Sequence, residues 1–133
     1  MKTSNKQNYK ISAYATAQLL IINASLYAEE KGKEISRYRF SRQCLREISG
    51  WGRLTVNFLE ELGAEFATLG WYFMNEVSDG DCAIMQTSKI SIWPKLSKKR
   101  LVAAPELWTS DEDSIDAAYW AKFPPQDGAL ESE

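Results

Sequence analysis

Apolar residues recur at helical spacing as far as Leu69, and at Gly70 the chain changes to an aromatic run suited to a strand. That one change of period, from three or four residues to two, restricts the fold to helices followed by a hairpin. From Ala13 to Lys31, residues Ala17, Leu20, Ile21, Ala24, Leu26 and Ala28 predict a helix, with Ser12 as its cap and Gly32 as its stop. Both faces near Leu19–Ile22 are apolar, so this helix is expected to be largely buried. A second helix is predicted over Arg39–Ile48. It would turn Phe40, Cys44, Leu45 and Ile48 inward and gather Arg39, Arg42 and Arg46 on the opposite face.

Two glycines within Ser49-Gly50-Trp51-Gly52 break that helix. A third follows over Leu54–Leu69, with Leu54, Phe58, Leu59, Leu62, Phe66 and Leu69 as its apolar stripe. Gly63 inside it costs up to about 1 kcal/mol and lets another element approach closely. Beyond Gly70, Trp71–Val77 reads as a strand, Ser78-Asp79-Gly80-Asp81 as a turn and Cys82–Thr87 as the returning strand. Alternation from Thr87 to Trp93, with Ile90 and Ile92 on one side, extends the strand pattern until Pro94. Farther on, Ser110 and Asp113 form a capping pattern before a short helix over Asp113–Phe123, and Gln126–Glu133 is expected to be disordered. The chain thus reads as a flexible arm over residues 1–12, a folded domain over 13–104 and an acidic, partly disordered segment over 105–133.

Its 133 residues suit one hydrophobic core, and 44% hydrophobic with 26% charged residues excludes a wholly disordered chain. Leu19-Leu20-Ile21-Ile22 is the longest apolar stretch, far below the roughly 20 residues that span a bilayer. No signal-peptide pattern follows the basic start, so the chain is expected to stay in the cytoplasm. Histidine is absent, which removes Ser-His and Cys-His catalysis within the chain. Cys44 and Cys82 alone cannot close a structural zinc site and read as free, buried thiols.

The formal charge of −2 conceals an asymmetry. Residues 1–105 hold 15 Lys/Arg against 10 Asp/Glu, whereas residues 106–133 hold one Lys against eight acids. The cations form two clusters, Lys31–Arg53 and Lys89–Arg100, and residues 54–88 between them carry none. A basic body with an acidic tail points to nucleic acid as a partner.

The order helix, helix, glycine turn, helix, hairpin resembles the winged helix-turn-helix superfamily over about residues 13–93. Ser41–Ile48 resembles the first helix of the motif, Ser49-Gly50-Trp51-Gly52 its turn, Arg53–Leu62 its recognition helix and Trp71–Thr87 its wing. The apolar spacing after Val56 departs from the usual recognition-helix pattern. The resemblance implies a mainly helical α+β fold, three helices and a hairpin wing, that binds double-stranded DNA without catalysis. Arg53, Thr55 and Asn57 would meet base edges in the major groove, where Arg reads guanine and Asn reads adenine. Arg37, Arg39, Arg42 and Arg46 would hold phosphates from the preceding helix, and Lys89, Lys95, Lys98, Lys99 and Arg100 would follow the backbone from the wing side. Trp51 and Trp93 stand among these charges, with packing the plainer role for both.

A small transcriptional regulator or accessory factor of a bacterial or phage-like mobile element is the expected setting. One short recognition helix reads few base pairs, so a homodimer is expected, through the first helix or the C-terminal aromatics. The alternative is a protein-binding inhibitor or adaptor that docks through Trp108, Tyr119, Trp120 and Phe123. The oxygens of Asp111, Glu112, Asp113 and Asp116 suit Mg²⁺, but adjacent acids at a helix start make no catalytic cage. Asp79 and Asp81 read as turn formers. No metal, cofactor or enzymatic activity is expected.

Overall fold

A computed structural model describes residues 9–77 and 79–126. They form an α+β fold of helices and one small antiparallel sheet, divided between two compact units, one ending at Trp93 and the other beginning at Pro94. All but Gln126 of the expected disordered stretch, Gln126–Glu133, and most of the expected N-terminal arm lie outside the described residues. Within the arm, Tyr9–Ser12 is tied down. Ile11 donates its N–H to the Ser49 carbonyl at 3.0 Å, and the Trp51 indole N–H donates to the Ile11 carbonyl at 2.7 Å.

Helix α1 spans Ala13–Lys31, with the Ser12 hydroxyl accepting from the Ala15 N–H and Gly32 closing it in the left-handed region at φ 69°. Its buried face is built from small residues, Ala13, Thr16, Ala17 and Ala24 around Leu20, so neighbouring elements approach its axis closely. Among the described residues nothing covers the opposite face, contrary to the expectation of a largely buried helix. Leu19, Ile22 and Leu26 point outward there, Ile22 and Leu26 being 52% and 57% exposed.

The second helix begins later than the expected Arg39. Arg37–Phe40 forms strand β1, and helix α2 covers Arg42–Ser49 behind the cap Ser41, whose Oγ accepts from the Cys44 N–H. The cause is local: Arg37-Tyr38-Arg39-Phe40 alternates charged and aromatic residues at period two, and only Tyr38 and Phe40 pack against the core. Arg39 and Phe40 therefore belong to a strand, and Arg39 does not share a helix face with Arg42 and Arg46.

Helix α3, Val56–Thr68, is capped by Thr55 and buries Phe58, Leu59, Leu62 and Phe66. Strands β2, Trp71–Met74, and β3, Cys82–Gln86, form a hairpin, and β1 adds to its far side. The antiparallel order β1-β3-β2 pairs Tyr38 with Ile84 and Phe73 with Ile84. Phe66 of α3 stacks on Phe73 at 5.5 Å between ring centroids, joining helices to sheet. Gly63 faces that same ring, where an added Cβ would meet the Phe73 side chain at 3.7 Å.

The strand pattern expected to continue beyond Thr87 is absent. Thr87–Ile92 is a 3-10 helix, because Thr87 turns both its N–H and its hydroxyl to the Gly70 carbonyl. Gly70 lies just before β2, so past Gln86 the chain has no strand to pair with.

The second unit holds two helices, α4 at Lys99–Val102 and α5 at Glu112–Lys122. Helix α5 begins one residue earlier than expected, with Asp111 rather than Ser110 in the cap position. Among its described residues none is buried.

Candidate nucleic-acid interface

The start of α3 is held by the turn before it. Gly50 closes α2 at φ 79°, its N–H reaching the Arg46 carbonyl at 2.8 Å. Trp51 then packs on Phe58 with ring centroids 5.2 Å apart, and the Lys10 ammonium lies 4.8 Å above the indole. Thus Trp51 is a packing residue that also fixes the chain start, and it is not free to stack on a base. Trp93 is about half exposed.

From this turn, Arg53, Thr55, Val56 and Asn57 all emerge exposed. The Arg53 guanidinium has no ion-pair partner among the described residues. Thr55 is occupied: its Oγ1 accepts the Phe58 N–H at 3.1 Å, which makes it the helix cap first and leaves only its proton and methyl for any other contact. Down the outward face of α3, Asn57 is followed by the exposed carboxylates Glu60 and Glu61.

The four remaining arginines of the first cluster are divided between β1 and α2. Arg37 and Arg39 alternate on the outer side of β1, while Arg42 and Arg46 stand one turn apart on α2 and are half-buried. Arg39 Nε lies 3.4 Å from Asp81, Arg42 donates to Asn75 Oδ1 at 2.6 Å, and Arg46 donates to Gln43 Oε1 at 3.2 Å. Two of these contacts reach the hairpin turn, which carries Glu76, Asp79 and Asp81 and no cation. Arg39 and Arg42 are therefore partly committed to holding that turn. Asn75 as the acceptor for Arg42 was not foreseeable from spacing, since 33 residues separate them.

Lys89 lies exposed in the 3-10 helix of the first unit, but Lys95, Lys98, Lys99 and Arg100 belong to the second. There the Lys98 ammonium sits 5.9 Å from the Trp108 ring. Tyr119 packs edge-on against Trp120 and also contacts Phe123, and the Trp120 indole N–H donates to Asp116. Trp108, Tyr119, Trp120 and Phe123 are each about half exposed. Asp116 thus serves an aromatic neighbour, and among the described residues no three potential metal ligands converge.

Both cysteines are free, Cys44 half-buried and Cys82 buried. Burial pushes the Cys44 thiol up, and the Glu47 carboxylate adds to the effect. Burial also raises Cys82, with a hydrogen bond from the Glu76 backbone and the charge of Arg42 acting against it. Both shifts favour the protonated thiol over the thiolate.

No described helix is long and apolar enough to cross a membrane. No family model, curated protein or solved structure matches the chain.

Proposed function

We propose that the first unit is a winged helix-turn-helix that binds double-stranded DNA without catalysis, α2 and α3 forming the helix pair and β2–β3 the wing. The supporting observation is its topology: α1, β1, α2, α3 and a hairpin in that order, with β1 completing the sheet beside β3. That arrangement presents the start of α3, where Arg53, just before the Thr55 cap, and Asn57, in the first turn, stand exposed and suited to guanine and adenine edges. Docking is end-on, because Glu60 and Glu61 would repel phosphates if the helix lay deeper. The acidic wing stays off the backbone, and Arg37, Arg46 and Lys89 supply phosphate contacts. The protein acts in the cytoplasm as a small regulator or accessory factor of a bacterial or phage-like mobile element. The uncovered stripe Leu19, Ile22 and Leu26 on α1 supports a homodimer.

The decisive test is binding of the full chain to random-sequence duplex DNA between 50 and 200 mM salt. Neutralising about six phosphates predicts a loss of roughly 10³-fold in affinity over that range. Arg53→Ala should weaken binding further at every salt concentration. Absence of binding at 50 mM overturns the reading.

A second reading, docking on a partner protein, is favoured by the acidic outer face of α3 and by the half-exposed Trp108, Tyr119, Trp120 and Phe123. Contacts through buried aromatics would change little over the same salt series.

A further inference from the structure

Among the described residues, strand β1 pairs along one edge only, with β3, and its other edge is open. The Gln86 N–H donates to the Ser36 carbonyl at 2.9 Å, which makes Ser36 and Gln86 a hydrogen-bonded pair. Such pairs alternate along an antiparallel ladder, so Tyr38–Ile84 and Phe40–Cys82 are hydrogen-bonded pairs as well. The N–H and C=O groups of Arg37 and Arg39 therefore point away from β3.

All four residues of β1 line a groove of about 860 Å³ that runs beside the second half of α1. Its floor is apolar, formed by Leu20, Ala24, Ile84 and the rings of Tyr38 and Phe40. Its rim carries Lys31, Lys33, Arg37 and Arg39 against the single acid Glu30. Among the described residues, Lys33 and Arg37 make no ion pair.

We propose that this edge takes an extended acidic peptide segment of a partner protein as a fourth, antiparallel strand. An open edge offers main-chain hydrogen bonds for affinity, and the alternating side chains of the added strand provide specificity. Side chains on one face of that strand fall beside Tyr38 and Phe40, over the apolar floor. Those on the other face fall beside Arg37 and Arg39, where a carboxylate forms a favourable cross-strand pair. The fitting sequence thus alternates acidic and apolar residues. A second copy of this edge is excluded as occupant by the same charges, since arginine would oppose arginine. Duplex DNA has no use for the apolar floor or for the backbone ladder. The inference does not rest on the DNA reading, because the start of α3 takes no part in it.

The test uses the full chain and a fluorescein-labelled ten-residue peptide alternating Glu and Val, followed by anisotropy at 50 mM salt. Two control peptides accompany it: a block isomer of the same composition, and the alternating peptide N-methylated at its glutamates, whose N–H groups face Arg37 and Arg39 in this pairing. The alternating peptide should bind at least tenfold more tightly than either. The double variant Lys33→Glu, Arg37→Glu should lose at least tenfold, with an unchanged circular dichroism melt because both side chains are exposed. Bound peptide should slow alkylation of Cys44, which lines the groove, by at least threefold. Equal affinity for the N-methylated peptide, or undiminished binding by the double variant, overturns the proposal. Protection of Cys44 by duplex DNA but not by the peptide also overturns it and assigns the groove to nucleic acid.

Discussion

At the scale of single residues, the most constrained position is Gly50. It sits at φ 79°, and an added Cβ would run into the Tyr9 carbonyl and stand 3.1 Å from the Lys10 Cα. Both obstacles are backbone, which cannot swing aside as a side chain can. Gly50→Ala is therefore expected to cost more than the roughly 1–3 kcal/mol of left-handed strain alone. Gly32 closes α1 at a similar φ of 69° with open space around it, so Gly32→Ala should show only the conformational part. Urea unfolding of the two variants side by side measures the difference, and equal midpoints would mean that the chain start is not held against the turn. The sequence made Gly50 legible as a turn former, through its neighbour Gly52. It could not make legible the close approach of Tyr9, forty-one positions earlier, because no local pattern encodes a long-range backbone contact. Thr55 shows the converse case. A hydroxyl before an apolar run signals a cap, and the cap is what the structure holds, although the same residue type also suits base contact.

At the scale of elements, α1, α3 and the hairpin were legible because their patterns are long or are punctuated by Ser, Thr and Gly. Strand β1 was missed because four residues between two helical patterns carry too few repeats of period two to stand out. Its pairing partner lies more than forty positions downstream, so the sheet that stabilises it is invisible locally. The 3-10 helix carries a strand pattern for a related reason: alternation at Thr87–Ile92 is genuine, but β2 is already used up at Trp71. With β1 in place, Arg39 stands on a strand edge beside Arg37 rather than on a helix with Arg42 and Arg46. Helix α1 departs from its pattern in another way, since apolar residues on both faces ordinarily mean an interior position. Its outward stripe has a direct test. Ile22→Lys should leave the unfolding free energy within about 0.5 kcal/mol, as for other exposed sites. The same variant should abolish concentration-dependent self-association in sedimentation; self-association that survives would place the dimer contact elsewhere.

For the molecule as a whole, stability is expected to fall on the alkaline side. Cys44, Cys82 and Tyr38 are all raised in the fold, chiefly by burial, and Tyr38 further by Tyr27. Each raised group holds its proton more tightly when folded, so its contribution is fully present below the unfolded pKa and is lost as pH rises through the folded one. For the thiols that loss begins above about pH 8.5, the ordinary cysteine value. The urea midpoint should be level from neutrality to that point and then decline, and Cys82→Ala should make the decline shallower. A midpoint that rose with alkalinity would contradict the burial of these groups. Charge was legible at this scale as a total and as an asymmetry between the chain's two ends. What it could not convey was that Lys89 and Lys95 belong to different units, which follows from where packing stops. The hold of Trp51 on Ile11 has a practical corollary for anyone handling the protein. A purification tag or reporter joined directly to Tyr9 would emerge next to the loop joining α2 and α3, so an assay that depends on such a fusion masks the surface it was built to read.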